Sequence, residues 1–229
     1  MPDATDYYFN LPTDKRPDCS ALTEEMHKDY SWLNQNCSRP RGRDALDIVD
    51  TLVIHCTAGD STPYALDAWR RKEVSAHWIV PGKNEPQHGQ FIWATLAEVN
   101  AALQVRDVID VRKTVLGEGP VVNDRSLGIE IVNTQENDDY RDPFSDWQVV
   151  ATARVVLYAW AKYPNLRHVV SHAHLDPVRR GDPGSQFPWP VFKEMVLSHS
   201  ALPNPPLLRL RRWIWKWTSK TDTAHLERH

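Results

Sequence analysis

The chain has 229 residues, 41% of them hydrophobic and ten of them tryptophan, enough to bury a sizeable core in one main domain with extensions. A formal net charge of -3 with 25% charged residues leaves no basic surface excess, so nothing here points to nucleic acid as a partner. No stretch approaches the roughly 18 apolar residues of a membrane span, and the start, MPDATDYYFNLPTDKRPDC, lacks the basic-then-apolar pattern of a cleavable export signal.

Residues 1–46 read as a polar, loop-rich extension around one helix, SALTEEMHKDYSWL (20–33), in which Leu22, Met26, Tyr30 and Leu33 recur near helical spacing. Cys19 and Cys37 both lie in this extension and could pair in an oxidising compartment, although three cysteines are too few for a disulfide scaffold. The main domain spans 47–199. DTLVIHCT (50–57) reads as a buried strand with His55 at its end, followed by the turn AGDSTP and a helix that places Pro63 at its first position. VSAHWIV (74–80) and QFIW (90–93) are further strands, and TLAEVNAALQV (95–105) is compatible with helix. RSLGIEIVN (125–133) sets Leu127, Ile129 and Ile131 on one face and Glu130 on the other. An acid in mid-strand between isoleucines calls for a chemical reason.

After the polar loop TQENDDYRDP, Ser145 caps a long and nearly all-apolar helix, DWQVVATARVVLYAWAKY, which Pro164 stops. HVVSH (168–172) is the last strand. Strands alternating with helices predict an α/β fold with a single central mixed sheet covered by helices on both faces. Residues 200–229 form a basic, aromatic tail that combines Arg209, Arg211, Arg212 and Lys216 with Trp213, Trp215 and Trp217. Such a tail suits packing against the domain or an interface with headgroups or glycan.

His55, Glu130 and His172 each fall on or at the end of a strand, where a rigid sheet can position reactive groups. Two neutral imidazoles and one carboxylate, with a fourth position open to water, make the usual open catalytic zinc site. On residue type alone the carboxylate is Glu130, Asp176 or Asp182, and His174 rivals the other histidines as a ligand. Cys56, next to His55, faces the opposite side of its strand and reads as a buried thiol.

Four segments, LVIHCTAG, VSAHW, NDRSLGIEIVN and HAHLDPVRRGDPGSQFPW, occur in that order over roughly residues 48–195. On them the chain resembles the zinc-dependent N-acetylmuramoyl-L-alanine amidases of the second amidase type, a family that shares its fold with animal peptidoglycan recognition proteins. The resemblance implies zinc held by His55, His172 and Asp182, with Glu130 as catalytic acid/base. It implies hydrolysis of the amide between muramic acid and L-alanine of peptidoglycan. A carboxylate beside a metal-activated water suits that work, since it can take the water's proton and return it to the leaving amine.

Two positions depart from the family. Arg180 stands where the family commonly has a lysine, two residues before the aspartate ligand; it keeps the charge needed to stabilise an oxyanion but is planar and larger. The stretch EVNAALQVRDVIDVRKTV (98–115) lacks the Trp-His-Ala-Gly segment that lines the substrate groove in many members, so part of the groove is rebuilt. His77 matches a position that is usually structural.

The chemistry suits three settings: recycling of muropeptides in the cytoplasm, lysis by a phage, or delivery into a rival's periplasm. The extension and the rebuilt groove favour a lytic or delivered enzyme acting on intact wall; for a delivered toxin a cognate immunity protein is an expected partner. The rival class is a non-catalytic wall-recognition module on the same fold, and the filled ligand positions favour the enzyme.

Overall fold

The central strands of this protein carry apolar residues on both faces, so the sheet they build is buried from both sides. The computed structural model describes residues 7–18, 26–106, 116–117, 119, 121–134 and 142–198. In chain order these form β1 (Tyr8–Asn10), β2 (Met26–Lys28), β3 (Ser38–Pro40), α1 (Ala45–Ile48), β4 (Thr51–Cys56), α2 (Thr62–Lys72), β5 (Trp78–Val80), β6 (Ile92–Ala94) and β7 (Asn100–Ala102). There follow α3 (Val122–Arg125), β8 (Ser126–Ile131), α4 (Asp146–Lys162), β9 (His168–Ser171), α5 (His172–Leu175) and α6 (Trp189–Leu197).

Seven strands make one mixed sheet in the order β1-β9-β4-β8-β5-β6-β2. The central four, β9, β4, β8 and β5, are parallel. β1 joins β9 and β6 joins β5 antiparallel, and β2 runs parallel to β6. β3 and β7 form a separate antiparallel pair. The mixed sheet with helices on both faces is the architecture that the strand and helix pattern predicts.

On one face Leu52 and Ile54 of β4, Leu127 and Ile129 of β8 and Trp78 of β5 share a core with Val156, Trp160 and Phe192 of α4 and α6. Each large side chain buried there contributes about 1.5–3 kcal/mol. The long helix α4 starts as its sequence indicates. Ser145 Oγ accepts from Gln148 N–H at 3.2 Å, and Gln148 Oε1 accepts from Ser145 N–H at 3.0 Å, a reciprocal capping box. On the other face Val53 and Val170 pack with Leu175, and Ile79 packs under Leu66 and Trp69 of α2.

Two segments differ from their sequence reading. The helix expected over 20–33 is not formed by its described part: Met26–Lys28 is an edge strand paired with β6, and Tyr30–Trp32 is a 3-10 turn started by Asp29, whose side chain accepts from Ser31 N–H. Pairing explains the change, because it directs Met26 toward the core while His27 meets the rings of Phe91 and Trp93. The N-terminal region, through β1 and β2, therefore completes both edges of the sheet. Likewise TLAEVNAALQV contains no helix; Asn100–Ala102 is a strand against Ser38–Pro40, with Ala101 and Ala102 fully buried, a tertiary pairing that overrides local propensity.

Cys37 is a buried free thiol near the Trp69 carbonyl, and Cys19 lies outside the described residues, as does the tail 200–229. Among the described residues no helix is long and apolar enough to cross a membrane.

Candidate metal centre

Parallel pairing in register makes His55 of β4 and Glu130 of β8 direct neighbours across the strands, with Ile79 of β5 next in the same row. β9 flanks β4 on its other side and ends at Ser171, whose Oγ accepts from His174 N–H at 2.9 Å and so starts α5. His172 thus leaves the sheet at the end where His55 sits. The chain then loops out and returns, tied by Ala173 N–H donating to the Asp182 carbonyl at 2.9 Å. The Asp182–Pro183 peptide is cis.

These three paths converge on one point. His55 Nδ1 lies 2.9 Å from His172 Nδ1, and Asp182 Oδ2 lies 3.2 Å from each of them. Both imidazoles are buried, at 2% and 4% exposure. Two imidazole nitrogens and a carboxylate oxygen packed this closely are all electron-pair donors, an arrangement that a shared cation relieves. The triangle is small enough for one ion to reach all three atoms at about 2 Å, the ordinary length of zinc bonds to nitrogen and oxygen. The donor set therefore fits a divalent zinc-like ion.

Burial pushes the Asp182 carboxyl up, but the two histidines against it, His172 foremost, outweigh this and hold the group well below the ordinary carboxylate range. Glu130 behaves in the opposite way. Burial first, and the Asp182 charge second, raise it from 4.5 to about 7, while His55 and Arg180 pull it down. The residue as a whole is only partly covered, yet its Oε2 is buried without a hydrogen-bond partner. It lines a cavity of about 260 Å³ with His55, Gln104, His172, Arg180 and Asp182.

Of the sequence candidates, His55, His172 and Asp182 come together, and Glu130 and Arg180 line the same cavity, Arg180 from an exposed loop. Asp176 and His174 do not join them. The Asp176 carboxylate, 1% exposed, receives Arg106 Nε at 2.7 Å and Arg106 Nη2 at 3.0 Å, a bidentate pair that holds it below its ordinary range. His174 follows His172 by two residues on a helical turn rather than a strand, which aims it elsewhere, and its ring stacks on Tyr8 at 5.5 Å. Cys56 is buried and outside the donor triangle.

His77 is structural in its contacts. It is fully buried, its Nδ1 accepts from Gly128 N–H at 3.0 Å, and its Nε2 faces the Asn100 carbonyl at 3.1 Å. Burial and the adjacent Arg41 guanidinium lower its pKa to about 3, so it is neutral. Gln104 is the contact that sequence reasoning missed. Its Oε1 lies 3.1 Å from His55 Nε2, and no motif marks it, because it comes from the segment whose structure the sequence leaves open.

A profile of the N-acetylmuramoyl-L-alanine amidase family matches residues 45–185. The N-acetylmuramoyl-L-alanine amidase AmiD of Escherichia coli strain K12 is 31% identical over 158 residues, which cover 66% of this chain and 55% of that protein. A solved complex of E. coli AmiD with the substrate anhydro-N-acetylmuramic acid-L-Ala-D-gamma-Glu-L-Lys superposes with a TM-score of 0.52 at 28% identity, over 71% of this chain and 60% of that one. AmpDH3 from Pseudomonas aeruginosa shares the fold, with a TM-score of 0.54 at 24% identity over 80% of this chain and 77% of that one. The chain thus spans little more than half the length of the curated relative it matches.

Proposed function

The chain belongs to the N-acetylmuramoyl-L-alanine amidase family, and from that premise we propose that it hydrolyses the amide between the lactyl group of muramic acid and L-alanine in peptidoglycan, with zinc held by His55, His172 and Asp182. The observation that carries this reading is the triangle of donors at 2.9–3.2 Å, with an unpartnered Glu130 Oε2 in the same cavity. Bound there, zinc would polarise the scissile carbonyl and lower the pKa of a water.

Glu130, poised near neutrality by burial, takes a proton at Oε2 from the attacking water as the water oxygen bonds to the carbonyl carbon. It returns that proton to the departing nitrogen as the C–N bond breaks, leaving a lactyl acid and a free L-alanine amine. The Arg180 guanidinium stabilises the negative charge that develops on the carbonyl oxygen. The two histidines and Asp182 hold the site in place on strand ends and a tied-back loop, and Cys56 takes no part.

The test is mass spectrometry of purified peptidoglycan after incubation with the protein, with chelator, with zinc restored, and with Glu130→Gln. Stem peptides with a free L-alanine amino terminus should form only with metal and with Glu130. Intact muropeptides under every condition, with the protein bound to sacculi, would instead make the chain a recognition module. We further propose a wall-lytic setting, as a phage lysin or as an antibacterial effector delivered to a rival's periplasm; for the delivered effector the partner is an immunity protein that blocks the groove. Its test is coexpression pull-down with the product of the neighbouring gene, where absence of a complex counts against it.

A further inference from the structure

The segment that departs from the family's pattern makes its own contact with the metal site. Gln104 follows β7, and its side chain is held at both ends. Its backbone N–H donates to Asn123 Oδ1 at 3.2 Å, and Val105 N–H donates to the same oxygen at 3.0 Å. Its carboxamide Nε2 donates to Ser126 Oγ at 2.8 Å, which turns Oε1 toward His55 Nε2 at 3.1 Å. His55 Nδ1 is the atom aimed at His172 and Asp182. An imidazole that gives its Nδ1 lone pair to an ion carries its proton on Nε2, and Oε1 of Gln104 is the acceptor at that position.

Gly128 provides the space. It lies on β8 between Ser126 and Glu130 and on their face of the strand. A Cβ at this position would overlap Gln104 Oε1, stand 2.7 Å from Gln104 Cδ and come within 3.3 Å of the Ala76 Cβ. The Gln104 carboxamide therefore lies directly over the glycine, and any side chain at 128 evicts it.

We propose that Gln104 is a positioning residue of the metal centre, fixing the tautomer and ring orientation of His55 across the gap that Gly128 leaves open. The proposal rests on the reading of His55, His172 and Asp182 as zinc ligands. Its chemistry is graded: an acceptor at Nε2–H enriches Nδ1 as a donor, and a carboxylate in place of the amide does so more strongly. A packing role would carry no such grading.

The experiment is zinc affinity by competition with a chromophoric chelator, with cobalt(II) absorption spectra, on full-length wild type, Gln104→Met and Gln104→Glu. Gln104→Met, of similar volume but with only a weakly accepting sulfur in place of the amide oxygen, should weaken zinc about 10- to 100-fold and shift the cobalt bands. Gln104→Glu should bind zinc at least as tightly as wild type. Gly128→Ala should weaken zinc in the wild-type background and do so much less in Gln104→Ala, because the carboxamide it displaces is then gone. If Gly128→Ala does not fold, the Met and Glu variants decide alone. Equal affinity for wild type and Gln104→Met, or equal weakening by Met and Glu, overturns the proposal. A wild-type protein that binds no zinc overturns the ligand reading itself, a result distinct from either.

Discussion

Glu130 should cost the metal-free protein stability at alkaline pH, and replacing it with glutamine should recover that cost. Its carboxyl is raised from 4.5 to about 7 in the folded state, chiefly by burial. Between those values the folded chain holds a proton that the unfolded chain has lost, so stability falls as pH rises through the window. Below about 4.5 both states are protonated and the effect vanishes. Above about 7 it is complete, and the difference in pKa corresponds to about 3 kcal/mol, nearer 2 once water at the uncovered part of the side chain is allowed for. Glu130→Gln mimics the protonated acid at every pH. Urea unfolding of chelator-treated wild type and variant should give a variant less than about 1 kcal/mol more stable near pH 5 and about 2–3 kcal/mol more stable at pH 8. Restoring zinc should shrink the gain, because the ion's charge offsets that of the carboxylate. A difference that does not change between pH 5 and pH 8, or a less stable variant at pH 8, would refute the assignment of a buried, unpaired carboxyl.

His172→Ala should lose bound zinc and activity while keeping the circular dichroism of the fold; a variant that still holds zinc at wild-type affinity would remove His172 from the ligand set. Arg180→Ala should lower kcat about 100- to 1000-fold with a smaller effect on KM, and Arg180→Lys should restore most of it; an unchanged kcat in the alanine variant would make Arg180 a surface charge. Ser145→Ala, which deletes half of the α4 capping box, should cost about 1 kcal/mol in urea unfolding, and wild-type stability would show that the cap contributes nothing.

The parts of this site that could be read from the sequence are those set by local periodicity. The alternation in DTLVIHCT and RSLGIEIVN places His55 and Glu130 at strand positions, and the register of β4 with β8 makes them neighbours. What could not be read depends on contacts distant in the chain. Nothing in the residues alone chooses Asp182 over Asp176 as the carboxylate that meets the two histidines. The choice is made by Arg106, 70 residues upstream, which engages Asp176, and by a loop that Ala173 ties back. The edge strands β2 and β7 are three residues each, too short for a periodic signal, and their pairing partners override the helical spacing around Met26.

The far face of β8 shows why local reading fails at the place that matters for chemistry. Leu127, Ile129 and Ile131 obey the rule for a buried strand, and the alternating set Ser126, Gly128 and Glu130 breaks it within the same six residues. A sequence chosen for stability alone would fill those three positions with β-branched side chains. Each exception has a partner instead. Ser126 receives the Gln104 carboxamide, Gly128 leaves the room in which that carboxamide lies, and Glu130 presents a buried oxygen to the cavity. The strand gives up apolar contact on one face to build a polar stripe beside His55, so the local inconsistency in the sequence marks the row next to the candidate site. The same argument explains why Gln104 could not be found from its own segment: its reason for being there lies on β8, at a position that carries no side chain at all.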